Sequence, residues 1–123
     1  MWNEAAGWTS VLVGVLLGLF MGVKFRSEHW LGGYAALPRR MVRLAHIAFL
    51  AIGILNVIAA ASLSESSLPQ TLTHVASWTM IASAALMPAC CLSIAIGYRR
   101  FEIFLFPVAT LLTAVVLLIG GSL

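Results

Sequence analysis

Residues 41–63, MVRLAHIAFLAIGILNVIAAASL, carry one permanent charge, Arg43, near their start and none after it. A stretch of roughly 20 apolar residues is what an α-helix needs to cross a hydrocarbon core about 30 Å thick. It reads as a membrane span, and three others follow on the same test. Ala5 to Val23 is stopped by Lys24, Leu72 to Tyr98 is stopped by Arg99 and Arg100, and Phe101 to Gly121 runs almost to the end of the chain. Transmembrane β-strands are short and alternate in polarity, whereas these runs are long and continuous. The expected fold is all-α, an integral membrane four-helix bundle forming one domain over residues 1–123, with spans near 5–23, 41–63, 72–98 and 101–121.

Composition agrees. The chain is 62% hydrophobic and 9% charged, far below the quarter or so of charged residues that coats a soluble domain. No linker or low-complexity tract divides it. The net charge of +3 is gathered at the ends of the apolar runs, so the expected partner is the lipid bilayer and not nucleic acid.

All seven basic residues, Lys24, Arg26, Arg39, Arg40, Arg43, Arg99 and Arg100, fall after the first and third runs. Under the positive-inside rule both of those connections face the cytoplasm. The N-terminus, the SLSESSLPQT segment and the C-terminus then face the other side of a bacterial-type cytoplasmic (inner) membrane. The one-sided charge argues against proteins that insert both ways. The opening MWNEAAGWTS has Glu4 and no basic residue, unlike the start of a signal peptide, so the first run is expected to be a retained span. GVKFRSE and GYRRFE, which end the first and third runs, form a faint internal repeat that the charge rule alone accounts for.

Three histidines invite a cofactor. His46 lies near the cytoplasmic end of the second span and His74 near the outer end of the third, about 20 Å apart along the membrane normal at 1.5 Å per residue. They are therefore not the two axial ligands of one haem within one chain, although either could serve in a separate site shared with another subunit. Met87, Cys90 and Cys91 descend toward the level of His46, and sulfur with imidazole suits copper(I). Against this, there is no CxxC or HxxxH, and adjacent cysteines point about 100° apart on a helix, so small residues filling a helix contact are the plainer account. The plainer account of His46 is a headgroup-level residue beside Arg39, Arg40 and Arg43, which snorkel toward lipid phosphate with Lys24, Arg26, Arg99 and Arg100. Its remaining alternative is proton handling. His29 and Trp30 read as an interfacial segment, because aromatic rings favour the headgroup zone.

Helix packing has its own signals. Gly14, Gly18 and Gly22 repeat GxxxG, a groove for close backbone approach. Gly53 and Asn56 share a face with His46, and Asn56 is expected to bond across to the third helix at the level of Ser77. Pro88 and Pro107 should each break a backbone hydrogen bond and kink a span.

Enzyme chemistry finds little support. Glu4, Glu28, Glu65 and Glu102 all lie at ends or in connections, whereas proton-coupled exporters need an acidic side chain inside a helix. The length and four spans resemble small multidrug exporters, but without their embedded glutamate. They resemble small fluoride channels without the glycine- and arginine-rich signature, and succinate dehydrogenase anchors without histidines placed to share a haem. The expected role is a non-catalytic accessory or structural subunit, or assembly partner, of a larger respiratory or other redox membrane complex. A haem- or copper-binding protein using His46 or His74, a small transporter or channel, and a homo-oligomer are the alternatives.

Overall fold

The computed structural model describes residues 2–123, which form four long helices: α1 (Trp2–Lys24), α2 (Leu37–Ser64), α3 (Gln70–Ala95) and α4 (Leu105–Ser122). No strand occurs among the described residues. Short 3-10 turns, Trp30–Gly32 and Phe101–Phe104, lie in the first and third connections. All four helical segments are long and apolar enough to cross a membrane. The protein is a multi-pass, all-α four-helix bundle.

The helix ends differ from the ends of the apolar runs for identifiable reasons. α2 begins at Leu37, four residues ahead of the run, because Pro38 carries a φ suited to a helix start and needs no hydrogen-bond partner there. α3 stops at Ala95, before Tyr98. Gly97 takes φ +113°, and the N–H groups of Gly97 and Tyr98 donate back to the carbonyls of Ile94 and Ser93, the paired bonds of a Schellman ending. Gly22, its counterpart in the faint repeat, lies inside α1, so the two segments do not share a structure. α4 starts only at Leu105, which puts Pro107 in its first turn, where a missing N–H is tolerated. The kink expected at Pro107 is thereby replaced by a helix start. The Cys90 thiol donates to the carbonyl of Ile103, four residues before Pro107, at 3.5 Å.

Each helix packs chiefly on the next, α1 also meets α3, and α4 is held mainly by α3. The α1–α2 contact is the closest. His46, Leu50, Gly53 and Val57 of α2 alternate in steps of four and three, a heptad seam, and each meets α1 at or beside a glycine. A methyl on Gly7 would come within 2.6 Å of the Gly53 carbonyl, and one on Gly53 within 2.9 Å of the Gly7 carbonyl. Glycine is needed on both sides because backbone meets backbone. Ser10 donates to the Phe49 carbonyl at 2.8 Å along the same seam. On the other side, Ala59, Met80 and Ala114 form a buried cluster covered by Leu111, Val115 and Leu118 of α4.

Candidate functional site

Polar side chains inside the bundle collect in three places. Nearest the N-terminal end of α1, Asn3, Asn56 and Ser77 join α1, α2 and α3. Asn3 Nδ2 donates to Asn56 Oδ1 at 3.0 Å and to the Ser77 carbonyl at 3.2 Å, while Ser77 Oγ donates to Asn3 Oδ1. Asn56 Nδ2 donates to the carbonyls of Ile52 at 3.0 Å and Met80 at 3.1 Å. Both amides are fully buried, and both hydrogens of each are used. A polar group in hydrocarbon must find such partners. Asn56 does bond across to α3, through its own amide and through Asn3.

Asn3 went unnoticed in the sequence because it precedes the first apolar run and stands beside Glu4. A signal was nonetheless present: Asn3, Gly7, Ser10 and Gly14 step by four, three and four along one face of α1.

Deeper along the seam, His46 Nδ1 lies 2.7 Å from the Gly14 carbonyl. A carbonyl oxygen only accepts, so Nδ1 carries a hydrogen, which leaves Nε2 as the nitrogen with the lone pair whenever the ring is neutral. The ring lies over Gly18, where a methyl would come within 2.6 Å of Cε1. His46 is thus half-buried between helices and is not a freely snorkelling interfacial residue. Gly14 and Gly18 act as groove residues, but the groove serves α2 of the same chain. Gly22 is exposed and has nothing within 4 Å of its missing methyl. It belongs to no helix contact.

The third place is the basic end. Arg39, expected among lipid phosphates, is 3% exposed. Its guanidinium donates to the carbonyls of Phe25 at 3.4 Å and of Ser27 and Glu28 at 3.3 Å, just beyond the C-terminus of α1. The guanidinium carbon lies 4.3 Å from the centre of the Phe25 ring, 5.7 Å from Tyr34 and 5.8 Å from Trp30. Arginine fits here because its planar fork reaches several carbonyls while its faces meet π-systems. Its Nε is buried with no partner. Arg43 stacks on Tyr34 at 4.1 Å and donates to the Tyr34 carbonyl at 3.1 Å. Trp30 packs on Phe20 and Phe25, with ring centres 5.9 and 5.7 Å apart. Leu31, at φ +53°, precedes Gly32 and Gly33 at +85° and +101°. This run of left-handed residues turns the connection back over Arg39. Lys24, Arg26, Arg40, Arg99 and Arg100 are exposed around this end.

The remaining metal candidates stay apart. Cys90 and Cys91 are free and buried, with the Cys90 thiol directed to Ile103; Met87 is half-buried and His29 and His74 are exposed. His46 bonds at Gly14, whereas Ser77, one turn from His74, bonds at Asn3, eleven residues away along α1. At 1.5 Å per residue that is a separation of about 16 Å before the extra turn is added. Among the described residues, no three His, Cys, Asp or Glu side chains come together as a metal site. Pro88 is fully buried within α3.

A lateral groove of about 280 Å³ opens between α1 and α3, lined by Ala6, Thr9, Ser10, Ile81, Ala84 and Ala85, with Phe49 at its side. Comparison with protein families, with curated proteins and with solved structures finds no match to this chain.

Proposed function

We propose that this protein is a non-catalytic subunit or assembly partner of a larger membrane complex, acting by lateral helix association, with a respiratory or other redox complex as its setting. The observation that carries the reading is the groove between α1 and α3. Its walls are mostly small side chains, and in a bilayer small residues let a second helix approach to backbone distance. Most of the chain lies in its four spans, which makes lateral faces its largest surface for meeting a partner. The clustering of basic residues in the first and third connections supports, by the positive-inside rule, a bacterial-type inner membrane with the termini on the non-cytoplasmic side.

The test is purification of the full chain from its native membrane in mild detergent, read by mass spectrometry and visible absorption. The expected result is a colourless protein with stoichiometric partner subunits that are lost in Ala85→Trp, a change at an exposed groove residue. A chain that purifies alone, or a partner that tolerates Ala85→Trp, overturns it.

One observation favours a second reading. A carbonyl on Nδ1 with Nε2 left free is the arrangement that orients a ligating histidine, so His46 is the residue to hold a haem or copper ion shared with another chain. A visible band abolished by His46→Ala identifies that role.

A further inference from the structure

A cavity of about 450 Å³ opens at the connection from α3 to α4, a size that holds a small ligand group. Gly97 ends α3 in a left-handed conformation, Arg100 is extended, and the chain then tightens into the Phe101–Phe104 turn. That path sets Arg100 and Glu102 on the cavity wall, with Tyr98, Ile103, Leu105 and Phe106 completing it. Side chains two residues apart at a helix start do not face each other. Both charges are exposed, and among the described residues neither enters an ion pair or a side-chain hydrogen bond. The two sides of the wall differ in their surroundings. Tyr98 and Arg100 lie beyond the end of α3, whereas Leu105 and Phe106 open α4, a membrane span, and are each 70% exposed. A phenol and two charges beside lipid-facing side chains put the cavity at headgroup depth.

We propose that this cavity seats the headgroup of a phospholipid that carries a primary ammonium beside its phosphate, the chemistry of phosphatidylethanolamine. Arg100 donates to the phosphate oxygens and the Glu102 carboxylate accepts from the ammonium, each contact a charge-assisted hydrogen bond. Leu105 and Phe106 meet the first acyl carbons. The occupant follows from the pair of unlike charges on one wall. An anionic lipid satisfies Arg100 and leaves Glu102 without a cation. A quaternary ammonium meets the charge of Glu102 but has no N–H to donate. A soluble zwitterion has nothing to place on the apolar side. The inference needs the chain to be in a bilayer and does not depend on a partner subunit.

The full chain is reconstituted in nanodiscs of equal parts phosphatidylethanolamine, phosphatidylcholine and phosphatidylglycerol, released into mild detergent and examined by native mass spectrometry for retained lipid. The wild type should retain phosphatidylethanolamine over each of the others by about fivefold, the scale of one ion pair at an exposed site. Glu102→Gln should bring its ratio to phosphatidylcholine near one with circular dichroism unchanged, because the amide keeps the side chain's shape and loses its charge. Arg100→Gln should lower retention of all three lipids, since each carries the phosphate. Arg99→Gln, next in the chain but not on the wall, should keep the preference. If Glu102→Gln misfolds, the wild type alone decides: replacing the headgroup by its successively N-methylated forms should lower retention stepwise as N–H groups are lost. Equal retention of the three lipids by the wild type overturns the proposal, as does a preference for phosphatidylglycerol, which would mark a merely basic surface. So does a preference that survives Glu102→Gln, or retention that ignores Arg100→Gln. Displacement of the lipid by millimolar phosphoethanolamine would identify the free headgroup as the ligand and overturn the lipid assignment.

Discussion

The imidazole of His46 rests on the α-carbon of Gly18, so close that a methyl there would meet Cε1 at 2.6 Å and Nδ1 at 3.1 Å. The ring cannot retreat without losing its bond to the Gly14 carbonyl. Gly18→Ala should therefore destabilise the bundle by about 1–3 kcal/mol, the usual cost of overpacking. His46→Ala in the same chain should recover part of that loss. Thermal unfolding of the two single variants and the double variant measures the coupling.

Gly7 and Gly22 make a sharper pair. An added methyl at Gly7 meets the Gly53 carbonyl, which is backbone and has little freedom to move, whereas one at Gly22 meets nothing. Gly7→Ala should lower the melting temperature clearly. Gly22→Ala should leave it unchanged or raise it, by up to about 1 kcal/mol from helix propensity. Equal effects in a detergent melt would disprove the contact pattern.

Removing one amide of the Asn3–Asn56–Ser77 network leaves the other short of a partner. Asn3→Ala and Asn56→Ala should each cost about 1–2 kcal/mol, near the upper range for bonds between membrane helices. Asn56→Ala should cost more, because the Ile52 and Met80 carbonyls lose a donor and the Asn3 amide loses an acceptor. The double variant should cost less than the sum, as expected for residues in one network.

Arg39→Lys keeps the charge and loses the fork. A point-like ammonium cannot serve the carbonyls of Phe25, Ser27 and Glu28 together. Hydrogen exchange across residues 25–36 should accelerate in this variant and remain unchanged in Arg40→Lys, since Arg40 is exposed. Unchanged exchange in Arg39→Lys would show that the connection holds its shape without the guanidinium.

The four spans were legible because membrane insertion depends on length and polarity alone, and both are local properties of a sequence. Burial of Arg39 was not legible. Its spacing from Arg40 and Arg43 fits a snorkelling row equally well, and only the fold of residues 25–34 brings three rings and three carbonyls around it. Pro107 was misread for a related reason. Hydropathy continues through Phe101–Phe104, so nothing in composition shows that the α-helix waits until Leu105. The glycine pattern was half legible: GxxxG marked Gly14 and Gly18, but the same arithmetic continued to Gly22, which turns away, and omitted Gly7, three residues before Ser10 on the true seam.

The seam between α1 and α2 bears on the order of assembly. It joins neighbours in sequence along much of their length, from Gly7 against Gly53 to Arg39 beyond the end of α1, so the first hairpin can close while the rest of the chain is still being made. α4 leans chiefly on α3, with a smaller contact to α2 at Ala59. Of the four helices α4 is the least embraced, and it is the one that a neighbouring copy of the chain would have least difficulty exchanging.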